Sequence, residues 1–479
     1  MPSRRTRWTA ALIALALAPG LGAQAPAPGP VVDLATLAPG VLHSGLGAAP
    51  DPTQTFELYL PSGFQRDRRW PLLMVFDPRS RGKLAAEIFQ ASAEKHGWMI
   101  ASSNNTMSDG PFEPNARAVN AMFPDLMNRL PVDPRRIYAT GFSGGAMLSW
   151  VVGLRTGKLA GVISVGGRPP DGFESQPPSF ALWAAAGDTD FNHLPTLELD
   201  RAAERAGVAH RLEYFPGPHS WFDAAEAERA VAGLELLAMR DGRRPRDEAA
   251  IDAALAADLA GAEALAAAGD PLGAVRRLHA VVLTFRGLRD VAAAEARRAE
   301  LAASPAMRAA EKEEKWVTRH EEQGRRRIAE TLALLHGEEP PPGPAKLRGQ
   351  LGIDMLLGQA AKGGVRGRAA ERVLYSIRGQ FGFYLMRELF AAGDYVTAVA
   401  ALQLATAAGS DSPATWYNLA CAQARVGAKR DALTSLARAL DFGLPQPEQM
   451  ATDADLASLR DEPDFQKLLA RARAAPPAP

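Results

Sequence analysis

The run Arg136-Ile137-Tyr138-Ala139-Thr140 leads directly into Gly141-Phe142-Ser143-Gly144-Gly145, and this is followed by the helix-forming Ala146-Met147-Leu148-Ser149-Trp150. A G-x-S-x-G turn between a strand and a helix leaves the chain few folds to adopt. The turn is so sharp that its serine takes a strained backbone conformation, and glycines on both sides let strand and helix approach without a Cβ clash. Ser143 then stands clear of the sheet edge as a candidate nucleophile. With 43 glycines in 479 residues the bare pattern is weak, so the flanking strand and helix carry the argument.

From about Val31 to Arg240, short β-rich runs alternate with helix-like segments, which predicts an α/β domain with a mostly parallel sheet. Strands are expected at Thr55 to Leu60, Pro71 to Phe76, Trp98 to Ser102, Arg136 to Thr140, Gly161 to Val165, Phe180 to Ala185 and His210 to Phe215. Tyr59-Leu60-Pro61-Ser62-Gly63 reads as a turn after an edge strand. Apolar spacing predicts helices at Lys83 to Lys95, Glu113 to Leu130, Gly145 to Arg155 and Asp223 to Met239, the second kinked or split at Pro124.

Beyond Arg240 the composition shifts to Ala, Leu, Arg and Glu, predicting an all-helical second half. Gly393, Ala398, Leu402 and Ala405 recur as Gly427, Ala432, Leu436 and Ala439, an offset of about 34 residues that matches a tetratricopeptide period. Gly269, Ala274 and Leu278 echo the pattern out of phase. The expected division is residues 31–240 for the α/β domain, 248–336 for a helical region, 337–368 for a linker around Pro340-Pro341-Pro342-Gly343-Pro344, and 369–475 for tetratricopeptide-like repeats with a closing cap.

At the start of the chain, Arg4, Arg5 and Arg7 precede the apolar run from Ala10 to Leu17 and then small residues to Ala25. Residues 1–25 are therefore expected to be a secretory signal, placing the protein in the periplasm or outside the cell. The apolar run is too short to span a bilayer, so no membrane span is expected. Lys plus Arg and Asp plus Glu both number 54, so no overall field recruits nucleic acid. The one cysteine, Cys421, excludes an intrachain disulfide and is expected to be packed in a helix.

A serine hydroxyl needs a base within hydrogen-bond reach and a carboxylate to hold that base in the right tautomer. After Ser143 in sequence, the apolar run Phe180 to Ala186 opens into Gly187-Asp188-Thr189-Asp190, and the next strand ends at Phe215-Pro216-Gly217-Pro218-His219-Ser220-Trp221. Both loops sit at expected carboxyl ends of strands, where open α/β sheets place their sites. His219 is the expected base. His193 lies beside the acidic loop but after the wrong strand, and is expected to line the pocket or face solvent. The remaining histidines, His43, His96, His210, His279, His320 and His336, have no metal-ligand spacing, and no metal or cofactor is expected.

On Val132 to Tyr138 leading into the elbow, on Gly187 to Asp190 and on Gly217-Pro218-His219, the chain resembles the α/β-hydrolase superfamily, and within it secreted esterases of the polyhydroxybutyrate-depolymerase and feruloyl-esterase kind. The resemblance covers about Leu42 to Met239. It implies a Ser143, Asp190, His219 triad, since the acid of such enzymes closes a G-x-x-D turn, with Asp188 as the competing acid. It also implies an oxyanion hole made by the Gly144 amide and an amide from the loop after Leu72 to Phe76. That loop reads Asp77-Pro78-Arg79-Ser80-Arg81-Gly82 in place of the family's H-G-G; Pro78 has no N–H, leaving Arg79 first and Ser80 second. Trp221 is the expected pocket wall, with Trp150 and Trp183 expected in the core, and the guanidinium of Arg79 or Arg81 is a candidate for a substrate carboxylate.

The implied activity is hydrolysis of a small or polymer-attached carboxylic ester through an acyl-enzyme. The short gaps between elbow, acid and histidine leave little room for a lid, so an open cleft is expected. The competing reading is a catalytically silent hydrolase-fold scaffold whose helical repeats bind a protein or peptide. A prolyl-oligopeptidase-type peptidase is disfavoured because no propeller domain precedes the elbow.

Overall fold

A computed structural model describes residues 27–170, 178–337 and 341–474; the expected signal segment lies outside them. Eight strands form one sheet: β1 (Leu42–Ala48), β2 (Asp51–Tyr59), β3 (Trp70–Phe76), β4 (Met99–Ser103), β5 (Val132–Phe142), β6 (Gly161–Val165), β7 (Ala181–Gly187) and β8 (His210–Phe215). Their order is β1-β2-β4-β3-β5-β6-β7-β8. The β1–β2 and β2–β4 pairs are antiparallel, and every pair from β4 to β8 is parallel.

Around the sheet pack α1 (Gly82–His96), α2 (Glu113–Arg129), α3 (Gly144–Thr156), α4 (His193–Arg205) and α5 (Ala224–Arg240). Successive strand side chains point to opposite faces, so central β3 feeds two cores at once. Leu72, Met74 and Phe76 join a layer with Leu126, Trp150 and Phe180, while Leu73 and Val75 join another with Phe89, Tyr138, Trp183 and Leu234. Trp150 and Trp183 thus occupy opposite core layers, as expected of core residues. One local expectation fails. β2 is not an edge strand, because β1 covers it; β1 escaped notice because it is polar and Gly-containing, with only Leu46 to Ala48 buried. Pro124 lies inside α2, which does not split there.

The second half is helical: α6 (Glu248–Ala267), α7 (Pro271–Phe285), α8 (Ala292–Ala302), α9 (Pro305–Gly337), α10 (Pro344–Leu351), α11 (Ile353–Ala360), α12 (Gly364–Gly379), a π-helical turn (Gln380–Tyr384), α13 (Leu385–Ala392), α14 (Tyr395–Ala407), α15 (Pro413–Arg425), α16 (Lys429–Asp441) and α17 (Pro463–Ala474). The segment 337–368 is not the expected linker. From Pro344 it is helical, because Pro344 sits in the first turn of α10, where its missing N–H is harmless, and Leu347, Leu351, Ile353 and Leu356 are buried in the helical core. The 34-residue pairs Ala398 and Ala432, Leu402 and Leu436, and Ala405 and Ala439 are all fully buried.

The halves are tied by Arg211 of β8, whose Nη1 and Nη2 donate to Asp258 of α6, both at 2.7 Å, while its Nε donates to Glu213. The guanidinium lies 4.9 Å from the Trp183 ring centroid. Burial pushes the Asp258 carboxyl up, but Arg211 and Arg277 outweigh it and hold the group below the usual carboxylate range. Asp258→Ala removes the paired hydrogen bonds on Arg211, leaving Glu213 as its carboxylate partner, and is expected to cost about 1.5–3 kcal/mol. Because the folded pKa is depressed, this contribution is complete above the unfolded value of about 3.9 and is lost as pH falls through the folded value. Melting curves are therefore expected to separate wild type from Asp258→Ala fully at pH 7 and to begin converging only as pH falls below about 4, towards the depressed folded value.

Candidate active site

Ser143 sits between β5 and α3 with φ 53° and ψ −118°, and its amide donates to Val165 O at 2.8 Å. A left-handed non-glycine residue is rare, and here the packing enforces it. A Cβ on Gly145 would lie 2.0 Å from the Phe76 carbonyl oxygen, and one on Gly141 would lie 2.2 Å from the backbone of Gly145. Nothing larger than hydrogen fits at either position, so β5 and α3 must meet at this serine. Gly144 opens α3, and its N–H is one of the helix's unpaired first-turn donors.

The loops after β7 and β8 are stitched to each other. Asp188 N donates to Phe215 O at 2.8 Å, Thr189 N donates to Gly217 O at 3.0 Å, and Asp188 Oδ1 accepts from Gly217 N at 3.0 Å. This brings Asp190 to His219: Nδ1 lies 2.9 Å from both carboxylate oxygens, and Asp190 is fully buried. Asp188 points to the loop backbone, where it acts as a turn aspartate. The amide of Asn192 donates to Asp190 Oδ1 at 2.7 Å, and its side chain reaches Gly166 O at 2.7 Å.

Gly166, with φ 54°, is a residue the sequence reading passed over. A Cβ there would lie 2.9 Å from Asp190 Oδ2 and 3.2 Å from His219 Cε1, so the Asp190–His219 contact requires the hydrogen. The imidazole is held between Phe142 and Phe191, with ring centroids at 4.5 and 4.3 Å.

Ser143 and His219 line one cavity of about 550 Å³ together with Arg79, Arg81, Trp221 and residues of the helical half. A second cavity, of about 380 Å³, meets it at Ser143 and is lined by Gly144, Met147, Leu148, Val151 and Phe112. The cleft is not formed by the α/β half alone. Tyr375, Arg378, Phe383 and Tyr384, all from α12 and the π-helical turn, wall the larger cavity, and only the tertiary fold brings them there.

The oxyanion loop differs from expectation. Arg79 N donates to Asp77 Oδ1 at 2.8 Å, and Ser80 N donates to Thr106 O at 3.0 Å, so both amides are used within the protein. The Arg79 amide is therefore not the donor that was expected, although its side chain does line the cavity. Arg81 donates through Nε and Nη2 to Asp77, so its guanidinium serves this loop. The organising residue is Asp77, which also accepts from Trp221 Nε1 at 2.8 Å and so ties the loop after β3 to the loop of His219. Burial raises the Asp77 carboxyl, yet hydrogen bonds from Arg81, Trp221 and the Arg79 amide keep it below the usual range. A buried aspartate at the carboxyl end of a central strand was the available signal.

His193 neither lines these cavities nor faces solvent freely. It begins α4 and stacks on Tyr214 at 4.1 Å, and desolvation with nearby Arg372, Arg276 and Arg368 depresses its pKa well below the ordinary value. Among the described residues, the group of potential metal ligands that converges is Cys421, Asp453 and Asp455, in the helical half. Those carboxylates already accept from Tyr417 and Arg425. No helix among the described residues is long and apolar enough to cross a membrane.

No known family profile matches the chain, and no curated protein is significantly similar to it. Solved structures do match part of it. The fluorophosphonate-binding serine hydrolase FphF of Staphylococcus aureus is 16% identical over 41% of this chain and 99% of its own, with a TM-score of 0.35. The S-formylglutathione hydrolase FrmB of the same organism is 16% identical over 41% and 96%, TM-score 0.34. A ferulic acid esterase, AmCE1/Fae1A from Anaeromyces mucronatus, is 14% identical over 40% and 86%, TM-score 0.32. The architecture is an α/β domain with an eight-stranded, mostly parallel sheet followed by a helical domain.

Proposed function

We propose that the protein is a serine hydrolase that cleaves carboxylic esters through an acyl-enzyme. The observation that carries this reading is the His219 imidazole, clamped on buried Asp190 at 2.9 Å, lining the same cavity as a serine in a strained strand-to-helix turn. Ser143 Oγ attacks the ester carbonyl while His219 Nε2 takes its proton, and the Nδ1–H donated to Asp190 stabilises the imidazolium. The Gly144 N–H meets the developing oxyanion, with the Arg79 guanidinium as a cation in the adjoining cavity that meets it at Ser143. His219 returns the proton to the leaving alcohol, and water repeats the sequence to release the acid. No step needs a metal or an organic cofactor.

The cavity containing His219 belongs on this reading to the leaving alcohol, because the imidazole must reach its oxygen. The cavity beside Gly144, with Phe112, Met147, Leu148 and Val151 in its wall, then takes the acyl group. Candidate substrates are small or polymer-attached esters, with Trp221 in the pocket wall. The 34-residue pattern supports a tetratricopeptide-like helical half, and the basic-then-apolar first 25 residues support export to the periplasm or beyond.

A fluorophosphonate probe tests this reading, since only an activated serine reacts. Covalent labelling with turnover of p-nitrophenyl butyrate is the expected result; absence of both overturns it. The spent amides of Arg79 and Ser80 favour the second reading, a silent scaffold whose helical repeats bind a protein or peptide, and that scaffold would stay unlabelled.

A further inference from the structure

The loop that carries the candidate acid is gripped from the other half of the chain. Arg372 of α12 donates through Nη1 to the carbonyl oxygen of Asp188 at 2.7 Å, across 184 residues of sequence. Its Nε and Nη2 both donate to Glu321 Oε1 of α9, at 2.8 and 2.5 Å, and the side chains of this pair are 4% and 5% exposed. A guanidinium is planar, so fixing two of its nitrogens on Glu321 fixes the direction of the third.

One face of α12 makes three such contacts. Arg368, one turn before, has Nε 3.8 Å from Asp188 Oδ2, and Tyr375, one turn after, stacks on Phe191 at 5.7 Å, which in turn lies 4.3 Å from the His219 ring. Spacings of four and three residues place all three on one helical stripe. The stripe therefore bears on loop 187–192 on both sides of Asp190. A buried ion pair is poor value for stability alone, since well-packed apolar residues serve as well. Here the pair aims one remaining donor at a loop carbonyl two residues from the acid.

We infer that Arg372 is a positioning residue: through the Asp188 carbonyl it holds loop 187–192 so that the Asp190 carboxylate stays on His219 Nδ1, which makes the helical half part of the catalytic apparatus. The inference rests on the triad reading above. Displacing the acid by a fraction of an ångström costs rate while leaving the cavity walls, and hence substrate affinity, nearly unchanged.

Arg372→Lys tests it while keeping a cation beside buried Glu321, because one ammonium cannot span both Glu321 and the Asp188 carbonyl. The expected result in the full chain is a fall in kcat of about 10- to 100-fold on p-nitrophenyl butyrate with KM within about threefold. The low-field proton resonance of the His219–Asp190 hydrogen bond should shift or broaden at the same time. The double variant Glu321→Leu/Arg372→Met replaces the buried pair with apolar side chains and is expected to lose kcat to the same extent while melting near wild type. A kcat within threefold of wild type in either folded variant, or an unaltered resonance in Arg372→Lys, overturns the inference. If wild type itself shows neither labelling nor turnover, the serine reading falls instead, and the resonance, which needs no substrate, still decides for Arg372.

Discussion

Ser143→Ala is expected to lower kcat on a short-chain p-nitrophenyl ester by at least about 10³-fold, with residual turnover from the cavity and the Gly144 amide alone. The size follows from the three groups acting as a unit: without the hydroxyl, His219 has no nucleophile to deprotonate. Stability should barely change. The turn is imposed by the contact of Gly145 with Phe76 O and by the Ser143 amide on Val165 O, and both survive the substitution. The check is steady-state kinetics beside a melting curve; a folded variant that keeps a tenth of its activity removes Ser143 from the mechanism.

Asp190→Asn should cost nearly as much, about 10³- to 10⁴-fold in kcat, because it fixes the wrong tautomer. The local geometry decides which way the new amide points. Oδ1 already accepts the Asn192 N–H at 2.7 Å, so the carbonyl oxygen stays there and the NH₂ takes the Oδ2 position, which also lies 2.9 Å from His219 Nδ1. An imidazole that accepts at Nδ1 carries its proton on Nε2 and cannot take one from Ser143. Asp188→Asn separates the two carboxylates in the same assay. Its Oδ1 remains an acceptor for the Gly217 amide at 3.0 Å, so less than a tenfold loss is expected. The opposite ranking would make Asp188 the acid.

These contrasts mark how much of the site was legible beforehand. Ser143 announced itself through local chemistry, because only a glycine-flanked turn joins a strand to a helix so abruptly. Asp190 and His219 followed from chain order and from their places after two apolar strands. The resemblance favoured Asp190 over Asp188 through the G-x-x-D turn, and the Asp190 carboxylate does meet the imidazole because that turn is stitched to the His219 loop through Asp188. The oxyanion loop misled. Arg79 has an amide in the right segment, but Asp77 captures it, and a side-chain capture across two residues leaves no periodic trace. Gly166 and Asn192 sit close to the acid–base pair, yet read in sequence as an ordinary turn glycine and a loop asparagine.

The larger surprise lies between the halves. Alanine-rich composition announced helices, and the 34-residue offset announced their phase, but a helical face carries no statement of what it will cover. Arg372, Tyr375 and Tyr384 read as ordinary helix residues until α12 and the π-helical turn are placed against the loops after β5 and β7. The linker expected at 337–368 fails in the same way, since Pro344 reads as a breaker until it is seen at the first turn of a buried helix.

By itself, the sequence determined the elbow, the alternation of strand and helix, the helical second half and the order of the three candidate residues, because each is written in local spacing and in conformational preferences that act over a few residues. The tertiary structure alone decided which amides of the loop after β3 are already paired and which helix walls the cavity. Those outcomes rest on hydrogen bonds and packing between residues up to 184 positions apart, and they exist only once burial has excluded water as the competing partner.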